Sequence, residues 1–171
     1  MFWSRSLLPV EQEFIRCIFG AALDGMAPRV RLGLRRLGDT RRALCLNRGW
    51  MSFPRACYAG GRLEEALRLE HSAVAGLFAH ELLHQLQRQH GLPVTRQALA
   101  LHTRHLLGGH DPYLYSACSA PRALLRQFWC AQVEQQAQIW QDHVQALVAG
   151  QPDPAFTLVA RAVQAGRLRR R

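Results

Sequence analysis

A chain of 171 residues that is 49% hydrophobic and 20% charged holds enough apolar side chain for one buried core, which excludes a disordered polymer. Its formal net charge is +10, and all 22 basic residues are arginines. They are scattered, apart from Arg35-Arg36, Arg41-Arg42 and a tail with Arg167, Arg169, Arg170 and Arg171, so they read as solvated surface rather than a nucleic-acid interface.

The opening stretch, Met1 to Pro9, meets Glu11 and Glu13 before any signal-like apolar core develops. The expectation is therefore synthesis in the cytoplasm and, if the protein is exported, a route without a cleaved leader. No apolar run approaches the roughly 18 residues of a membrane span. Val10 to Leu23 has apolar residues at helical spacing (Val10, Phe14, Cys17, Ile18, Ala21), closed by Gly25 and Pro28. Arg29 to Arg35 alternates and predicts a strand. Ala43 to Leu46 and Trp50 to Phe53 are short apolar runs around Asn47-Arg48-Gly49, a hairpin pattern. A sheet of two or three strands is expected from them. Leu63 to Leu69 reads as a short helix or a helix-biased loop.

A helix is expected from Ser72, a candidate N-cap, to the stop at Gly91-Leu92-Pro93. Helical spacing returns at Ala98 to Leu107, followed by a loop at Gly108 to Pro112. Arg122 to Val148 reads as a second long helix, ended by Gly150, and Pro154 opens a last one to about Ala165. No internal repeat or long linker divides the chain, so residues 1–171 are expected to form one domain with an Arg-rich tail at 166–171. The five cysteines (Cys17, Cys45, Cys57, Cys118, Cys130) form no CxxC pair and mostly sit among apolar residues. They read as reduced and buried, not as metal ligands.

The motif that carries chemistry is His80-Glu81-Leu82-Leu83-His84. Residues four apart share one face of a helix, so both imidazoles can reach one tetrahedral zinc. Glu81 is then placed to take a proton from an activated water, as in metallopeptidases. Zinc needs a third protein ligand, and spacing leaves two open. His90 stands where HExxHxxGxxH has its last His, but Gln87 replaces the glycine at which that motif turns. Glu134 lies among Trp129, Cys130, Val133, Ala137 and Trp140, where an acid is costly to bury unless paired or bound to a metal.

Phe78-Ala79-His80-Glu81-Leu82-Leu83-His84-Gln85-Leu86-Gln87, the following Gly91, Tyr113-Leu114-Tyr115 and Glu134-Gln135-Gln136-Ala137-Gln138-Ile139 resemble a group of bacterial zincin-like metallopeptidases. These are often encoded beside type VI secretion spike, Rhs or related contractile-injection components, and the resemblance covers roughly residues 43–145. It implies an α+β, mainly helical fold in which a small N-terminal sheet packs on the HExxH helix and a second long helix supplies the third ligand. It further implies Zn²⁺ held by His80, His84 and Glu134, with Glu81 as general base. The partners it implies are a peptide or protein substrate and a secretion-apparatus or immunity protein. One departure stands out: where the family often has an acid four residues after the glutamate, this chain has Gln138.

Tyr113, Tyr115 and His110 are candidate donors to a developing oxyanion. Trp50 to Phe53 is the candidate edge strand for an extended peptide. His102 and His105, three apart, are surface histidines or a second metal pair. The competing functions are a zincin scaffold that binds without catalysis and an Arg-rich nucleic-acid binder with an accidental motif.

Overall fold

The computed structural model describes residues 4–35, 43–106, 108, 111–116 and 119–169; the side chains of Leu46, His102, Arg104, His105 and Leu106 lie outside that description. His110 and Cys118 are therefore outside it, as is the proposed pairing of His102 with His105. The fold is α+β and mainly helical, with one small mixed sheet.

Strand β1 (Arg5–Ser6) leads into helix α1 (Pro9–Phe19), whose first turn contains Pro9, a residue that gives up no helical hydrogen bond there. Glu11 is fully buried yet satisfied. It takes a forked pair of bonds from Arg5 at 2.6 and 2.7 Å and the backbone N–H of Leu67 at 3.0 Å. This buried pair fastens α1 to the segment before the motif helix. The helix expected to reach Leu23 tightens at Gly20 into a 3-10 turn.

Strands β2 (Arg31–Leu34), β3 (Leu44–Asn47) and β4 (Trp50–Phe53) complete the sheet in the order β1-β2-β4-β3. The β3–β4 hairpin turns at Gly49, with φ of 79°, where a Cβ would come within 2.7 Å of the Arg29 carbonyl. Because β4 pairs with β2 on one side and β3 on the other, Trp50 to Phe53 is an inner strand. The edge-strand expectation is corrected: among the described residues β3 is the edge next to the motif helix.

Residues 63–69 form no helix. Ala59 N–H donates to Ala66 O and Arg68 N–H to Cys57 O, so this stretch pairs with 57–59 while Leu63, Leu67 and Leu69 turn inward. The local helical bias loses to burial of three leucines.

Helix α2 (Ser72–Gln89) starts one residue earlier than expected, with His71 at the N-cap and Ser72 already helical. From Phe78 to Arg88 every residue is buried, so α2 is a central helix rather than an amphipathic surface one. It packs along α5 (Val133–Val148), and at Gly76 any Cβ would collide with the Gln145 side chain. Helix α3 (Val94–Leu106) flanks this pair.

The long helix expected over 122–148 is two helices, α4 (Pro121–Cys130) and α5, parted at Ala131 and Gln132. Neither residue is a helix breaker. The break follows from packing: α4 lies on α6 (Thr157–Gln164) while α5 lies on α2. Trp140 of α5 is fully buried, edge-on to Phe19 at 5.4 Å. The cysteine expectation needs correction too: Cys57 is buried, but Cys17 and Cys130 are exposed. No helix among the described residues is long and apolar enough to cross a membrane.

Candidate metal centre

His80 and His84 stand one turn apart on α2, their rings at 85° with centroids 4.8 Å apart. The first turn of α5 delivers Glu134 between them. Glu134 Oε2 lies 3.4 Å from His80 Nε2 and 3.5 Å from His84 Nε2. The three candidate ligand atoms all fall within 4.8 Å of one another, and all three residues are buried. Two imidazole nitrogens and one carboxylate oxygen form a donor set that could hold a metal ion.

The electrostatics follow from this crowding. Burial by itself would raise the Glu134 carboxyl, but the two imidazoles bonded to it hold it well below the usual carboxylate range. Burial opposes charge on His84, yet Glu134, aided by Glu81 and Gln87, raises its pKa overall. Burial pushes the Glu81 carboxyl up; the two imidazoles counter this, and the Glu134 charge reinforces it. Without a cation the group is thus a carboxylate leaning on imidazole protons. That is a site whose proton occupancy a metal would take over.

The group opens into a cleft of about 260 Å³, bordered by Ala43, Leu44 and Cys45 of the β3 side, by Val94, Thr95, Ala98 and Leu99 of the α3 side, and by Glu81, Arg88 and Tyr113. Two side chains of α2 fasten β3 to this helix. Gln85 accepts from Gly49 N–H at 2.8 Å and donates to Asn47 O at 2.9 Å. Arg88 donates to Cys45 O at 3.0 Å, Cys45 Sγ at 2.6 Å and Thr95 Oγ1 at 2.9 Å. The later half of the β3 edge is therefore covered by α2 side chains, and its open part begins at Ala43 and Leu44. Burial, with the nearby Glu81 charge, pushes the Cys45 thiol up to about 12, so it stays neutral.

The other predicted site residues separate. Tyr113 lines the cleft, its ring centroid 6.1 Å from that of His80. Tyr115 commits its hydroxyl to Asp142 Oδ2 at 2.5 Å, and Gln138 donates to the other Asp142 oxygen at 2.7 Å. His90 is the exposed C-cap of α2, its ring beside Gly166 and outside the His80–His84–Glu134 group. The expectation that the helix runs on past Gln87 accounts for this: His90 is carried a further turn and more from His84. Sequence reasoning gave no role to Gln85, Arg88 or Gln136. Gln87 was visible as the residue replacing a glycine, but not as the partner of His84 Nδ1, which it meets at 2.8 Å. The i, i+3 spacing of His84 and Gln87 was the available signal.

No family model matches the chain, and no curated protein matches it. Among solved structures, the effector domain of Pseudomonas aeruginosa VgrG2b aligns over 91% of this chain and 82% of that one, with a TM-score of 0.64 and 23% sequence identity. At that identity the likeness is one of fold: this chain and that effector domain share their architecture.

Proposed function

We propose that the protein is a zinc-dependent metallopeptidase, acting as one domain, of the kind deployed as a secretion-associated effector. The observation that carries the reading is the approach of Glu134 to both motif imidazoles, 3.4 and 3.5 Å away, beside a buried Glu81 in one cleft. His80, His84 and Glu134 would hold the ion, a set of two neutral nitrogens and one carboxylate that leaves a fourth position open. When bound, zinc supplies Lewis acidity, acidifying water towards about pKa 7 and polarising a carbonyl.

The chain's own residues supply the rest. Glu81 is the proton acceptor, and burial raises its basicity towards that task. It then returns the proton to the leaving amine. Tyr113 borders the cleft and is the described candidate for contact with the reacting carbonyl; Tyr115 does not line the cleft, and its hydroxyl is spent on Asp142. A peptide lying along the open part of β3 would find Leu44, Val94, Ala98 and Leu99 around its side chains. The effector reading draws on the fold shared with an effector domain and on the motif resemblance. A secretion-apparatus or immunity protein is the partner it implies.

Zinc content and peptide hydrolysis, measured for the wild type, His84→Ala and Glu81→Gln, test the proposal. His84→Ala should lose both. Glu81→Gln should keep zinc and lose turnover; full activity in that variant would remove Glu81 from the mechanism. Zinc binding without hydrolysis in the wild type would favour the alternative, a zincin-scaffold binding module.

A further inference from the structure

The two motif imidazoles differ at their second nitrogen. His80 Nδ1 has no hydrogen-bond partner among the described residues. His84 Nδ1 meets Gln87 Oε1 at 2.8 Å, and the contacts continue behind it. Gln87 Nε2 donates to the Val133 carbonyl and to Gln136 Oε1, both at 3.0 Å. Gln136 Nε2 donates to the carbonyls of Phe128 at 2.8 Å and Leu168 at 2.9 Å. The two glutamines are 0% and 2% exposed, so bulk water cannot substitute for any of these partners.

An amide can present either end, but a backbone carbonyl only accepts. The Phe128 and Leu168 carbonyls therefore hold the Gln136 nitrogen and turn its oxygen to Gln87. That oxygen, with the Val133 carbonyl, holds the Gln87 nitrogen and turns the Gln87 oxygen to His84. The bond there forms only if His84 Nδ1 carries a proton, which leaves Nε2, the atom 3.5 Å from Glu134, as the one to ligate.

We infer that Gln136, which bonds to none of the three candidate ligands, is a positioning residue: through Gln87 it decides which nitrogen of His84 faces the metal. The Leu168 carbonyl ties the segment after α6 into the same relay. The consequence for zinc rests on the metal-site reading; the relay itself does not.

The test uses the full chain, zinc alone as the ligand, and two variants with opposite relay chemistry. Gln136→Met removes the acceptor that Gln87 needs. Gln136→Glu keeps an acceptor but sets a carboxylate against two carbonyls, so it should be the less stable protein. Zinc Kd, thermal stability and solvent exchange of the His84 Nδ1 proton, followed by ¹⁵N NMR with and without zinc, are the readouts. Gln136→Met should weaken zinc binding about tenfold and speed the exchange by a similar factor. Gln136→Glu should keep both near the wild type despite its lower melting temperature.

Wild-type Kd and exchange in Gln136→Met would overturn the inference, as would losses that follow stability across the two variants. If Gln136→Met does not fold, Gln136→Glu decides alone: retained proton protection supports the relay and lost protection overturns it. If the wild type binds no zinc, the metal reading falls, and proton exchange in the metal-free protein still decides the relay.

Discussion

The α2–α5 side of the cleft and the β3–α3 side are held in different ways. On the first, His80, Glu81, His84, Gln87, Glu134 and Gln136 are all buried, and both glutamines are bonded at each end of the amide. On the second, Leu99 stands 68% exposed at the rim, and the outer edge of β3, whose inner edge pairs with β4, is held by side chains of α2 rather than, among the described residues, by a further strand. Reactive groups on packed helices keep their geometry because moving one leaves a buried polar atom unpaired. A rim that presents an exposed apolar side chain such as Leu99 can change its occupant at little cost to the fold. On the proposed function, that difference would put the chemistry on one side and the selectivity on the other.

The most severe challenge to this division is His84→Ala. It should abolish stoichiometric zinc binding and reduce peptide hydrolysis to background, both read on the purified protein. Next is Glu81→Gln, which leaves the three candidate ligands in place. Its kcat should fall by about 10²–10⁴ with zinc content unchanged.

A third effect concerns pH. The metal-free His84 has a raised pKa and Glu134 a lowered one. The stability from the raised His84 is fully present below its unfolded value and is lost as pH rises through the folded one. The stability from Glu134 is present above its unfolded value and lost as pH falls through the folded one. Their pairing thus stabilises metal-free protein between those limits. Zinc must displace the proton that His84 Nε2 holds towards Glu134, while Nδ1 keeps its own, so apparent affinity should climb up to about tenfold per pH unit until pH passes the raised His84 pKa, then level off. A flat calorimetric profile would contradict the pairing.

Smaller effects belong to the β3–α3 side. Arg88→Met removes the bonds to Cys45 and Thr95 and should cost about 1.5–3 kcal/mol in denaturant unfolding. It should also raise KM as β3 loosens, with zinc affinity little changed. Leu99→Asn should alter stability by less than about 0.5 kcal/mol, as expected of an exposed position. A severalfold rise in KM for peptides with apolar residues would place Leu99 in the substrate path; an unchanged KM would take it out.

Residue spacing and glycine dihedrals suffice for what is local: the four-residue step that sets His80 and His84 on one face, the stop at Gly91, and the β3–β4 hairpin at Gly49. These depend on helical periodicity and on backbone angles that few residues adopt. Spacing leaves the third ligand open between His90 and Glu134; Gln87 in place of the motif's glycine tells against His90, and the motif resemblance raises the acid further. Packing settles what is distant. The packing of α5 on α2 carries Glu134 to the imidazoles, and continued helix past Gln87 leaves His90 at the cap. Competition between the partners of α4 and α5 breaks the helix at Ala131–Gln132, and Gln135 Oε1 accepts from the Gln132 N–H to cap the new start. The inner place of β4 and the glutamine relay arise the same way. Each depends on which backbone groups remain for a distant strand or side chain to bond, and that is fixed only once the elements have packed.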